Sequence, residues 1–413
     1  MESVLNIHRK KINVAILAIV ILNYFLPSIL FVSIVVVLCL LYVFFSNYKF
    51  LNLSLVAYLL LMSFFLTEGL LYENDGRAIV RDVATFLTPL VYIIVGQYYS
   101  SNKETNVYKS LLYGGFGVSL IDLALKFSSN SYFTESNIGN VRENGFVGLS
   151  TIIALFILFF FQDKIYCISK KKKMLMTLVM ITSIILSLSR TNLICFLIIV
   201  LGSLLKKLDL KKISYTFGGF FFIVLIIYAT FFYLNRSDLL TVFFDKLTHS
   251  LTELSTDSRW TVETIQENWR GYETYMALEH FKQGNAFQFL FGYGFGEGID
   301  VGGYANLVGI SEGGVLPRLH NGYANLLIKT GFVGIIVYIS FFVYVFIYAQ
   351  KYTSNNNKKA ALTLSTMILI LTYFSAGIVV LNGFFFETII LLICILGERV
   401  QNENNSLIPS SIS

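Results

Sequence analysis

Charge is what this sequence has least of. Asp, Glu, Lys and Arg make up 14% of its 413 residues, against about 25% in a soluble domain. So few charges cannot coat a soluble surface. With 55% hydrophobic residues and a mean hydropathy of +0.69, the chain falls in the membrane class. The net charge of +6 forms no basic stripe, because its lysines come in short clusters between apolar runs. That placement argues against nucleic-acid binding and fits membrane topology signals. Cysteine is also sparse: Cys39, Cys167, Cys195 and Cys394 have neither metal-type nor redox-type spacing. They read as small apolar residues of helices. Asp82, Asp122 and Glu387 sit in or near apolar runs, but no acidic pair at useful spacing accompanies a histidine, which argues against a metal site. Arg9, Lys10 and Lys11 precede an apolar run as in a signal peptide, yet no small-x-small cleavage site follows. The run is expected to stay as a first helix. Internal repeats are absent, and the polar tail after Arg399 is the one low-complexity tract.

What the chain does have is a succession of apolar runs. A spanning helix needs about 20 apolar residues. Runs of that kind lie at 12–26, 28–46, 51–71, 83–99, 107–127, 145–161, 174–189, 191–205, 213–234, 321–349, 360–379 and 381–397. The expected fold is therefore an all-α polytopic membrane protein of about twelve transmembrane helices. Residues 1–234 would hold nine of them and 321–397 the last three. Between them, 235–320 is a large polar loop, and 398–413 is a tail. Within the loop, Ser258–Lys282 shows no turn signal before Gly271 and reads as amphipathic helix lying over the membrane surface. The 321–349 element is long enough to begin as a polar lead-in and to enter the membrane near Gly331.

Twelve spans put both termini on one side. Most of the 21 lysines fall there, including Lys170 to Lys173, Lys206, Lys207, Lys358 and Lys359. The positive-inside rule makes that side the cytoplasm. The arginines do the reverse. Of ten, Arg77, Arg81, Arg142, Arg190, Arg236, Arg259, Arg270 and Arg318 fall on the outer side. Orientation rules disfavour such a set, so a function must require it. Guanidinium offers a planar fork of donors suited to phosphate oxygens, whereas snorkelling to lipid phosphates would be served equally well by lysine.

The densest local pattern is G-Y-G-F-G-E-G at 292–298, followed by P-R-L-H-N-G-Y at 317–323. No strand precedes these glycines, so a dinucleotide fingerprint is excluded. They read either as a loop that folds tightly or passes close to a ligand, or as plain flexibility. His320 stands where the long loop re-enters the membrane, beside Asn321 and two residues after Arg318. Imidazole titrates near 6.5 in model peptides and can take a proton from a hydroxyl at neutral pH. A histidine resting at a helix end among lipid headgroups is the plainer alternative. His8 is solvated, and His249 and His280 lack such company.

Taken in order, these motifs resemble the O-antigen polymerase and O-antigen ligase superfamily of bacterial envelope enzymes. The matching parts are R-E-N-G-F at 142–146, S-L-S-R-T at 187–191, W-R-G-Y-E at 269–273, G-Y-G-F-G at 292–296, H-N-G-Y at 320–323 and T-G-F-V-G at 330–334. The resemblance implies a GT-C-like fold, a metal-independent glycosyltransferase without a cofactor, and a donor glycan on undecaprenyl pyrophosphate. It implies that Arg190 and a loop arginine hold the pyrophosphate. Arg270 fits that role better than Arg259. His320 would be the general base. Arg142, Arg318, Asn321, Gly294 and Gly296 would join in substrate binding. A separate chain-length regulator is an implied partner, and the bacterial inner membrane the implied location, with the active site outside. The W-R-G-Y-E and G-Y-G-F-G patterns look more like a polymerase of O antigen or capsule than a ligase acting on lipid A–core. A flippase for the same lipid-linked units is the alternative from another class, and it would call for inverted repeats and broken helices.

Overall fold

The structure is a computed structural model that describes residues 12–26, 30–37, 53–101, 106–128, 148–165, 167–187, 189–204, 260–308, 314–375, 377–379 and 385–398. The expected span at 213–234 lies outside the described residues. The described residues are overwhelmingly helical: α1 (Val14–Phe25), a helical stretch at 30–37, α2 (Leu53–Leu71), α3 (Gly76–Ser101), α4 (Val107–Ser128), α5 (Gly148–Phe160), α6 (Lys170–Leu186) and α7 (Arg190–Leu204). Three short helices follow: α8 (Val262–Glu267), α9 (Trp269–Lys282) and α10 (Ala286–Phe291). Then come α11 (Gly322–Tyr352), α12 (Asn355–Phe374) and α13 (Phe386–Gly397). Among the described residues, Gly76–Ser100, Val107–Ser128 and Gly322–Tyr352 are long and apolar enough to cross a membrane, and five shorter apolar helices accompany them. This is an all-α membrane protein.

The helices pack through small residues and buried polar groups, as expected where lipid gives no hydrophobic drive between helices. Gly115 of α4 lies directly on the Ser150 backbone of α5, and Gly202 of α7 on the Thr363 side chain of α12. In the interior, Glu387 of α13 accepts from Ser150 Oγ of α5 at 2.8 Å and from Asn23 Nδ2 of α1 at 3.1 Å. Asp122 of α4 pairs with Lys126 at 2.8 Å and accepts from Ser183 of α6 at 2.7 Å. Both carboxylates thus tie helices together where an unsatisfied group would be costly.

Several boundaries differ from those read in the sequence. The span expected at 83–99 belongs to a helix that starts at Gly76, because Asp75 Oδ2 accepts the Ala78 amide at 2.8 Å and caps it. The early start carries Arg77, Arg81 and Asp82 onto α3. In the loop, the expected amphipathic helix breaks at Asn268 rather than at Gly271, which lies inside α9. Asn268 Oδ1 accepts the Gly271 amide at 3.0 Å and so caps α9. A two-residue antiparallel ladder, β1 (Ile299–Asp300) with β2 (Val315–Leu316), adds the one pair of strands among the described residues. Gly331 interrupts α11 with φ 58 and ψ −160, which is where the sequence placed the joint between lead-in and span.

The glycine loop is pinned, not loose. Asn74 Nδ2 donates to the carbonyls of Tyr293 and Phe295, both at 3.0 Å. The Tyr293 amide donates to Ile328 O at 2.8 Å, and the Phe295 amide to Phe65 O at 3.1 Å. Gly294 has φ 76, and a Cβ there would run into the backbone of Gly69; only glycine allows that approach. Asp82 and Lys329, both buried, form an ion pair between α3 and α11. Asp82 also accepts the Gly296 amide at 2.8 Å, while Lys329 Nζ donates to Glu297 O at 2.8 Å. One charge pair thus holds the loop from both sides.

Removing one partner of a buried pair strands the other charge, at a cost of about 3–5 kcal/mol. Asp82→Asn should therefore lower the thermal unfolding midpoint in detergent sharply. Adding Lys329→Met should recover much of the loss, whereas additive losses would show that the two residues do not act as a pair.

Candidate active site

The site is built from the starts of two helices. In α9, Tyr272 and Glu273 turn inward, and the Tyr272 hydroxyl donates to Val301 O at 3.2 Å. Trp260 and Tyr304 pack against Tyr272 at centroid distances of 5.3 and 5.7 Å, so this face of α9 is fixed by aromatic packing. His320 immediately precedes α11. Asn321 caps that helix, its Oδ1 accepting the amides of Tyr323 at 3.0 Å and Ala324 at 3.3 Å. Asn321 is buried in this capping role.

Glu273 and His320 meet. The Glu273 carboxylate, 1% exposed, lies 2.9 and 3.0 Å from His320 Nδ1 and accepts the His320 backbone amide at 3.1 Å. Trp269 Nε1 donates to the same carboxylate. A carboxylate here can only accept, so the network assigns the ring proton to Nδ1. Nε2 is then the nitrogen left for a substrate, on a side chain that is 52% exposed. A buried acid orienting an accessible imidazole is the arrangement of a general base. Sequence reasoning found His320 by its neighbours and missed Glu273, although W-R-G-Y-E contains it. The available signal was an acid on the same helical face as Trp269, one turn away.

The arginines gather on two flanks of this dyad. On one flank, Arg270 stands a turn before Glu273 on α9, and its Nη1 donates to Phe374 O at the end of α12 at 3.3 Å. Arg190 begins α7, which packs on α12 with Gly202 against Thr363. The C-terminal end of α12, which holds Arg270, is also where α11 is fastened. The Tyr323 hydroxyl donates to Leu369 O at 3.0 Å and fastens the start of α11 to that same end. On the other flank, Arg318 lies within reach of the Arg81 charge. Desolvation, followed by the Arg81 charge, holds the Arg318 guanidinium below its ordinary value, against the pull of Glu273 and Asp82. Arg142 and Arg259 lie outside the described residues. Gly294 packs on α2, while Gly296 lines a cleft beside Arg81. His280 has an acidic neighbour of its own, Glu297 at 2.9 Å, but within the support of the glycine loop. Among the described residues no group of three or more His, Cys, Asp or Glu could hold a metal ion.

Lysines and the candidate site residues stand at opposite ends of three helices. Lys170–Lys173 open α6, and Arg190 follows its far end. Lys358 and Lys359 lie near the start of α12, whose last carbonyl holds Arg270. His320 precedes α11, and Lys351 ends it.

Residues 175–339 match the family model described as O-antigen ligase, which supports the superfamily resemblance carried by the motifs. The matched stretch contains Arg190, Arg270, Glu273, the glycine loop and His320. No curated protein matches the chain.

The hydrogen-bond network predicts that neutral His320 carries its proton on Nδ1. Nitrogen-15 spectra of histidine-labelled protein should show that tautomer, and Glu273→Ala should move the ring toward the Nε2–H form favoured by free imidazole. An unchanged tautomer in the variant would contradict the assignment.

Proposed function

We propose that this chain, read from the superfamily that its matched segment supports, is a polysaccharide polymerase. It joins oligosaccharide repeat units carried on undecaprenyl pyrophosphate, as O antigen or capsule, at the outer face of the bacterial inner membrane. The observation that carries the reading is the Glu273–His320 dyad, with a half-exposed ring set among arginines. In this reaction a sugar hydroxyl of one unit is the acceptor. His320 Nε2 takes its proton as the oxygen attacks the anomeric carbon of the other unit. The new carbon–oxygen bond forms while the bond to pyrophosphate breaks, and the electron pair leaves on the phosphate oxygen. Buried Glu273 stabilises the imidazolium that forms.

Charge develops on the leaving pyrophosphate, and fixed guanidinium groups stabilise it there. Arg190 and Arg270 are the proposed ligands, and Arg142, Arg259 and Arg318 remain further candidates. One direct displacement inverts the anomeric centre. The lysine clusters at the opposite helix ends support a cytoplasmic placement of that side and of both termini. A chain-length regulator would act as a separate partner.

The description of the matched family favours a second reading, transfer of finished polymer to lipid A–core. Gene deletion separates the two. Loss of a polymerase leaves surface glycan of a single repeat, and loss of a ligase leaves bare core with stranded lipid-linked polymer.

Purified protein given lipid-linked repeat units should produce a ladder of polymer. His320→Ala and Arg190→Ala should lower the rate roughly 10²- to 10⁴-fold while inserting normally, and His280→Ala should keep the ladder. Arg190→Lys retains charge without the bidentate fork, and near-normal activity in it would point to simple charge attraction. Movement of lipid across the bilayer with no ladder would sink the enzyme reading.

A further inference from the structure

A cleft of about 760 Å³ opens between the first turns of α3 and the β1–β2 hairpin. Arg77 and Arg81 line it, one helical turn apart and therefore on one face of α3. Gly296 and Pro317 form the opposite wall. Arg77 is exposed and makes no ion pair or hydrogen bond among the described residues. Arg81 is only partly used: Nη2 donates to Pro317 O at 3.0 Å and stands 3.7 Å from Asp82, while its Nε is buried without an acceptor. Asp82 is already neutralised by Lys329. The one other carboxylate at the cleft, Asp75, has an oxygen committed to capping α3. Two guanidinium groups therefore face one acid.

Apolar side chains stand beside these cations. Val80 and Val315 line the same cleft and are 70% and 46% exposed. Cations with donors to spare, next to exposed aliphatic surface at the end of a spanning helix, suit a phosphate attached to a hydrocarbon chain. The Arg81 charge also reaches Arg318, which makes no salt bridge among the described residues. An anion between these two groups would relieve their repulsion.

We propose that this cleft holds the pyrophosphate of a second lipid-linked substrate, with Arg77 and Arg81 as its ligands. The inference rests on the polymerase reading above, because joining two lipid-linked units requires two pyrophosphates to be held at once. Arg190 and Arg270 take the one that leaves. Arg77 and Arg81 take the one that stays attached, and His320 serves the acceptor hydroxyl.

The test uses full-length protein in nanodiscs of neutral phosphatidylcholine, with undecaprenyl pyrophosphate as the probe and stoichiometry read by native mass spectrometry. Wild type should bind two equivalents. Arg77→Gln/Arg81→Gln should bind one, with affinity at the lost site down about 10-fold or more, and Arg190→Ala should retain the α3 site. Arg77→Gln alone changes an exposed residue without a partner, so a weakened site there cannot be ascribed to misfolding. In the ladder assay, Arg77→Gln should raise the half-saturating concentration of lipid-linked unit severalfold. Two equivalents at wild-type affinity in the double variant would overturn the proposal. So would displacement of the α3 equivalent by phosphatidylglycerol, which would make the cleft a headgroup site. Wild type that makes a ladder but binds one equivalent overturns the cleft alone. Wild type that binds two and makes no ladder supports the cleft as a lipid-pyrophosphate site and overturns the polymerase reading.

Discussion

A buried ion pair between Asp82 and Lys329 sets the geometry on which the rest of the site depends. It joins α3 to the lead-in of α11, and between them it holds the amide of Gly296 and the carbonyl of Glu297. A buried pair gains stability only where further hydrogen bonds satisfy its remaining atoms, and here the glycine loop supplies them. The loop then has little freedom. Gly292 and Gly331, both at positive φ, lie back to back, so the turn of the loop and the break in α11 are one packing event. That break frees the lead-in from the direction of the span, and His320 stands at the head of the lead-in.

From this clamp the site extends in two directions. Toward α9, His320 meets Glu273, whose carboxylate is held by Trp269 and by the His320 backbone as well as by the ring. Toward α3, the clamp brings Arg81 against Pro317 and sets Arg77 on the face of an open cleft. The far flank is supplied by α12, whose last carbonyls receive Arg270 and the Tyr323 hydroxyl. Cations at the ends of rigid helices need not reorganise when charge develops on a leaving group, which is where preorganised electrostatics lowers a barrier most.

Much of this was legible in the sequence, because membrane helices announce themselves by length and apolarity, and a scarce residue type in a biased position is informative. The asymmetry of lysine and arginine pointed to one end of the bundle, and Lys170–Lys173 do open α6 while Arg190 follows its far end. Gly331 was readable as a joint because a polar segment gives way there to an apolar one. The pairing of Glu273 with His320 was not readable, since 47 positions separate them and only folding makes them neighbours. Lys329 carried a signal that went unused: a lone lysine within an apolar run calls for a buried partner. Asp82 is that partner, from a helix that begins earlier than its apolar run. The glycines of the loop were ambiguous between tight folding and flexibility, a choice fixed by what lies against them.

In the proposed mechanism Glu273 and His320 act as one catalytic unit, the acid by holding the base. A double-mutant cycle on the rate of ladder formation tests it directly. Glu273→Gln should slow polymerisation strongly, and His320→Ala more strongly still. The combined variant should be no slower than His320→Ala alone. Losses that multiply in the combined variant would mean that the two residues contribute independently and that Glu273 does not act through the ring.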